Sequence, residues 1–228
     1  MNYDLTNLPD IGPNTTVHMD IILNSTFVGK ISIKLFRDVF PAGVENFARI
    51  AAGKTYKATN MGGGNHRYVK ETQRTYEGCK FYHLSHNNYI VCGDIYTNDG
   101  KNSGTIYNDK PISSNFGDYY YPHEAKGLVS LVPFNDEATG QTLYDSTFMI
   151  TLDNPKPSNV IKELDKDQIV IGQVYDGMEV IDKINQMIKP YAGRHYPNFS
   201  IGTCNISSNS TSRRRAYPQP KIIPKKIY

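Results

Sequence analysis

Apolar and polar residues alternate over two neighbouring stretches near the start of the chain. Val17–Leu23 reads V-H-M-D-I-I-L, and in Lys30–Phe36 the residues Ile31, Ile33 and Leu35 alternate with polar neighbours. A period of two puts one row of side chains in a core and the other in water. Both stretches are therefore predicted as half-buried strands, joined through N-S-T-F-V-G. From Asp38 to Ile50 the period lengthens. Val44, Phe47, Ala48 and Ala51 line one face of a predicted helix, Pro41 suits its first position, Glu45 lies in the early turns and Gly53 is a stop. Further strands are predicted at Lys80–Leu84, Tyr89–Cys92, Leu128–Leu131, Phe148–Thr151, Ile169–Val174 and Ser200–Ile206. A second helix is predicted from near Asp176. Asp176 and Glu179 have the spacing of an acidic capping box, and Val180, Ile181, Ile184 and Met187 form the inner face. Many strands with only two short helices argue for an all-β-dominated fold, a closed sheet capped at its ends.

The intervening stretches divide the chain. Residues 1–16, with Pro9, Gly12 and Pro13, form an irregular N-terminal extension. Residues 17–206 hold the periodic segments and constitute one domain. Residues 207–228 are a tail in which S-S-N-S-T-S linker material precedes R-R-R and the Pro-rich Y-P-Q-P-K-I-I-P-K-K-I-Y. Lys54–Tyr76 is polar and contains Gly62–Gly64. Without a following Lys-Ser/Thr or a leading apolar strand this is no phosphate cradle, and a long mobile loop is expected. Between Val132 and Ser146 the acids Asp136, Glu137 and Asp145 lack the partner spacing of an acid–base pair or a calcium loop, so a solvated loop is expected.

Composition narrows the function classes. Of 228 residues 39% are hydrophobic and 21% charged, which suits a globular protein, and no apolar run reaches the length of a membrane span. The polar N-terminus is no secretory signal, so a cytoplasmic, reducing compartment is expected and the N-x-S/T triplets at Asn14, Asn24, Asn198, Asn205 and Asn209 should carry no sugar. Cys79, Cys92 and Cys204 have no metal-ligand spacing and fit small core residues. The net charge of +3 conceals an asymmetry: Arg213, Arg214, Arg215, Lys221, Lys225 and Lys226 lie in the tail, and the remainder carries −3. This is not the footprint of a dedicated nucleic-acid-binding domain, and any such contact would run through the tail. A solvated tail is expected. A further reading docks Tyr217-Pro218 or Gln219-Pro220 in a groove on a neighbouring copy, which would make a homo-oligomer.

Four segments in order then resemble the cyclophilin family of peptidyl-prolyl isomerases: Gly29–Ile50, Glu77–Asp94 (beginning E-G-C-K-F and ending C-G-D), Ser146–Thr151 (S-T-F-M-I-T) and Ile169–Ile181 (I-V-I-G-Q-V-Y-D-G-M-E-V-I). The resemblance spans Val17 to Ile206. It implies a closed antiparallel eight-stranded barrel capped by two α-helices, and a function in cis-trans isomerisation of X-Pro bonds and protein folding. Partners would be proline-containing peptides or proteins. Twisting an amide over a barrier of roughly 18–20 kcal/mol needs no cofactor, no metal and no covalent step, only tighter binding of the twisted form.

The resemblance also implies where the chemistry would sit. The family's arginine falls on His83. Its Phe-Met pair falls on Asn88 and Tyr89, although a one-residue slip would put Tyr89 on the Phe, and its Gln falls on Val91. The Ala-Asn pair falls on Val132 and Pro133, and the Gln-Phe-Phe run on Thr147, Phe148 and Met149. The Trp-Leu…His edge falls on Glu163, Leu164 and Gln168, so only Leu164 is unchanged and the chain contains no Trp. His83 has no fixed charge at pH 7 and no fork of donors, Val91 donates nothing, and Pro133 lacks an N–H. Isomerase activity is therefore expected to be weak or absent, and cyclosporin-type macrocycles to bind poorly. The alternative is a catalytically inactive binding or structural module. Richness in Asn, Ile, Lys and Tyr suggests an AT-rich genome, such as that of a giant DNA virus or a low-GC microbe, and with it a role in the virion or the host cytoplasm.

Overall fold

The structure, a computed structural model, describes residues 15–53, 55–60, 66–71, 74–113, 119–153, 159–188, 197–208 and 223–224. Eight strands form the main sheet. Numbered along the chain they are β1 (Thr15–Leu23), β2 (Thr26–Leu35), β3 (His83–Ser85), β4 (Tyr89–Cys92), β5 (Leu128–Leu131), β6 (Phe148–Thr151), β7 (Ile169–Asp176) and β8 (Phe199–Ser208). Their order is β8-β1-β2-β7-β5-β6-β4-β3, with every neighbouring pair antiparallel. Alternation does what it predicts in β1, where Val17, Met19 and Ile21 are fully buried and the residues between them are not.

The expected closed barrel is corrected. The sheet curls, but its ladder ends at β3 and β8, which do not pair. β3 is three residues long, and the gap is spanned by the chain just ahead of it. Gly78 N–H donates to the Ile201 carbonyl at 2.8 Å, Ile201 N–H to Cys79 at 2.9 Å and Phe81 N–H to Phe199 at 3.0 Å. The two-helix expectation is corrected too, since the described residues hold three: α1 (Pro41–Ala51), α2 (Asn159–Asp167) and α3 (Met178–Ile188). α3 begins after Gly177, so Asp176 ends β7 instead of capping the helix. Gly177 has φ +85°, and a Cβ there would lie 2.1 Å from the Lys30 carbonyl oxygen, a turn that only glycine can make. Met187 is partly exposed and Ile188 takes its place in the core.

The core between helices and sheet is aromatic at its centre. Phe47 of α1, Tyr76 and Phe148 of β6 meet edge-on or tilted with ring centroids 5.1–5.3 Å apart, and all three are fully buried. α1 also carries buried polar groups toward the far loops. Glu45 pairs with Arg49 in the interior, Asn46 Oδ1 accepts Ile106 N–H at 2.8 Å, and its amide donates to the Asp145 carbonyl at 3.2 Å. A helix read from its apolar face therefore fixes, through its polar face, the loops that border the site.

Among the described residues three smaller pairings lie outside the main sheet. Thr55–Asn60 and His66–Glu71 form an antiparallel hairpin where a long loop was expected, while Gly62–Gly64 lie outside the described residues. Phe134–Asn135, Thr142–Tyr144 and Ile112–Ser113 form a three-stranded sheet around the acidic insertion. Ile223–Pro224 of the tail pair with Tyr119–Tyr120, so part of the expected solvated tail is laid against the body. The N-terminal extension is described only from Thr15, and Tyr217–Pro220 lie outside the described residues.

Candidate functional site

Antiparallel partners share a face of the sheet, and one row of partners crosses four strands. His83 opposes Val91, Val91 opposes Met149, and Met149 opposes Ser130. Their neighbours Leu84, Ile90, Cys92, Phe148 and Ile150 point into the main core, so this row lies on the other face. There Val91 and Met149 are covered by Leu164 of α2, and Tyr82, Tyr89 and Val132 pack around them. The arrangement is a small apolar platform with one exposed end. At that end stands His83, exposed, its ring stacked on Tyr89 with centroids 5.6 Å apart and planes 23° apart.

A polar clamp holds α2 onto the row. His123 Nδ1 lies 2.7 Å from Asp165 Oδ1, and its Nε2 lies 2.7 Å from the Ser130 hydroxyl. A carboxylate only accepts, so Nδ1 carries a proton toward Asp165, and the second ring nitrogen shares a hydrogen bond with the Ser130 hydroxyl. These are the three residue types of a hydrolytic triad, but Ser130 and His123 are wholly buried and no substrate carbonyl reaches them. What the trio does is fix Asp165, and with it the adjacent Leu164, over Met149. No local motif announces His123.

Beside the platform lies a cleft of about 420 Å³. It shares Val132, Pro133 and Thr147 with the expected substrate-binding set, and Tyr82, Phe134 and Pro111 give it further apolar wall. The Val132 N–H donates to the Thr147 carbonyl at 3.1 Å, and Pro133 next to it offers no donor. Gly100–Gly104, Asp109 and Asp145 complete the lining, in which Lys101 is the one cation among the described residues. No described arginine lines it. Gln168 follows α2, its N–H bonded to the Leu164 carbonyl at 3.0 Å, and its buried Oε1 has no partner among the described residues.

Asp145 departs from expectation. It is not on a solvated loop but 8% exposed, accepting Thr147 N–H at 2.7 Å and the Ser103 hydroxyl. Burial pushes its carboxyl above the ordinary range against the pull of those donors, and nearby Asp94 adds to the rise. Asp136 does lie at the surface, where the Thr139 hydroxyl and the Ala138 N–H hold its carboxyl below the usual value. Burial of Asp145 is a tertiary event with no signal in its own neighbourhood of sequence. Cys79, Cys92 and Cys204 are free and buried, and no set of three His, Cys, Asp or Glu among the described residues is placed to hold a metal. No described helix is long and apolar enough to cross a membrane.

Comparison with known proteins places this geometry in context. Residues 18–206 match the family described as cyclophilin type peptidyl-prolyl cis-trans isomerase. The chain is 59% identical over 218 residues to a structural PPIase-like protein of Acanthamoeba polyphaga mimivirus, covering 96% of this chain and 93% of that one. It is 28% identical over 189 residues to the human NK-tumor recognition protein, of which it spans only 11%. The crystal structure of the mimivirus cyclophilin superposes with a TM-score of 0.76 at 57% identity, over 94% of this chain and 100% of that one.

Proposed function

We propose that this chain, which belongs to the family of cyclophilin-type peptidyl-prolyl cis-trans isomerases, binds proline-containing segments but twists their amide bonds weakly or not at all. The observation that carries this reading is the row of His83, Val91, Met149 and Ser130. Val91, Met149 and Leu164 are themselves buried, and the partly exposed Tyr82, Tyr89 and Val132 packed around them offer a proline ring its apolar seat. Rotation about the X-Pro bond is accelerated only by donors and charge that bind the twisted amide better than either planar form. Here the row ends in an imidazole stacked on Tyr89 in place of a guanidinium with its fork of donors, and neither valine nor methionine donates a hydrogen bond. The Trp position of the family is Glu163, whose exposed carboxylate pairs with Lys166 at 2.8 Å.

A second reading sits beside the first, favoured by the 59% identical relative, which is named a structural PPIase-like protein of a virus. In it the fold serves assembly, in a virion or in host cytoplasm, and the peptide seat is an attachment point.

A prolyl-peptide assay tests the proposal. The expected result is a catalysed rate at least about 100-fold below that of an arginine-bearing cyclophilin, together with saturable binding of the same peptide. A rate near the family's, lost in His83→Ala, would overturn it. Cyclosporin should bind with a Kd weaker than about 10 μM by titration calorimetry, because a charged helix residue replaces the indole. Submicromolar binding would contradict that assignment of Glu163.

A further inference from the structure

Asp145 gives the cleft beside the platform a chemistry that the platform lacks. Neutral donors, the Ser103 hydroxyl and the N–H and hydroxyl of Thr147, are its hydrogen-bond partners. Among the described residues no cation ion-pairs with it. The nearby cations are engaged elsewhere: Lys101 lies 3.7 Å from Asp99 with its side chain 78% exposed, Arg74 bonds Asp109 at 2.6 Å and the Thr105 carbonyl at 2.7 Å, and Arg49 pairs with Glu45. A carboxylate taken out of water without a counter-ion is costly, and an arriving cation is attracted more strongly there than at the surface. Asp94 adds to the negative field. Tyr82, Val132, Pro133 and Phe134 line the approach, and apolar walls of this kind suit the aliphatic stem of a lysine or arginine whose charged head lies deeper.

We propose that this cleft takes the Lys or Arg side chain of a peptide whose proline rests against Tyr82, Tyr89 and Val132, the partly exposed rim of the platform, so that Asp145 selects basic prolyl segments. The inference rests on the prolyl-binding reading above. Tyr82 and Val132 pack against the platform and also line the cleft, so one extended peptide reaches both. The chain's own R-R-R-A-Y-P-Q-P-K, residues 213–221, has this chemistry and supplies a probe.

The test is calorimetric titration of the full chain with that nonapeptide and with a counterpart carrying Gln at every Arg and Lys, at pH 7 and physiological salt. The basic peptide should bind at least tenfold more tightly. Asp145→Asn should cut that preference below threefold, whereas Glu179→Gln, an exposed acid on α3, should leave it unchanged. Phe134→Lys, at a partly exposed position on the lining, should also abolish the preference by placing a rival cation there. It serves if Asp145→Asn does not fold. Equal affinity for the two peptides, or a preference surviving Asp145→Asn or Phe134→Lys, overturns the inference while leaving prolyl binding intact. Failure of both peptides to bind the unaltered chain overturns the prolyl reading and this inference together.

Discussion

His83→Arg leaves prolyl isomerisation by this protein at least about 100-fold below that of an arginine-bearing relative, because one restored charge does not rebuild the surface around it. The imidazole it replaces lies over Tyr89, and a guanidinium at that exposed position gains a cation–π contact by lying on the same ring. It is then held away from the amide it would have to reach. Val91 and Met149, the next residues along the row, remain without donors, and Glu163 keeps a carboxylate on the helix that covers them. Residues that act as a unit are strongly non-additive. The combination His83→Arg, Val91→Gln and Met149→Phe should therefore raise the rate by more than the product of the three single effects. Exchange spectroscopy on an X-Pro peptide measures all four variants. Full recovery from His83→Arg alone would show that the neighbouring positions matter far less than argued.

The strands were legible because their signal is local. Tyr89–Cys92, Leu128–Leu131 and Phe148–Thr151 occupy the spans that their apolar runs predict, since each is buried on both faces or nearly so. The ends were not legible. α3 starts two residues later than its capping pair suggests, because Gly177 must pass within van der Waals range of the Lys30 carbonyl and its positive φ stops the strand before the helix begins. α2 escaped although Val160, Ile161 and Leu164 have helical spacing, since nine residues rich in Lys, Asp and Glu resemble a loop. The hairpin at 55–71 escaped for a like reason: its polar strands show no alternation to fix a buried face. The platform residues could be named from resemblance, and cross-strand register brings His83, Val91 and Met149 into one row. Two groups that set its chemistry could not be found that way. His123 and Asp145 acquire their meaning from partners 42 residues distant, Asp165 for the first and Ser103 for the second.

Asp94→Asn is expected to destabilise the protein by about 3 kcal/mol at pH 7, and to damage the cleft with it. Asp94 is 1% exposed, and the chain folds around its carboxylate. Oδ1 accepts the N–H groups of Tyr96 and Thr97 at 3.1 and 2.8 Å. Oδ2 accepts the Thr97 hydroxyl at 2.7 Å and the N–H groups of Asp99, Gly100 and Lys101 at 2.9–3.2 Å. Gly100 and Lys101 are cleft wall, so this one anion shapes the loop beside Asp145. An asparagine presents an amide donor where donors already converge, leaving buried N–H groups unpaired. Burial alone would raise the Asp94 carboxyl, but the Thr97 hydroxyl and the surrounding amides outweigh it and hold the group well below its ordinary 3.8. A folded-state value below the unfolded one means that this stabilisation is complete above the unfolded value and fades as pH falls toward the folded one. The stability gap between the parent and Asp94→Asn should thus be constant above about pH 5 and narrow in more acid solution, while the preference for basic peptides weakens in the variant at pH 7. Denaturant unfolding across that range reads the gap directly. A gap that widened on acidification would mean that the carboxylate is not what the loop is folded around.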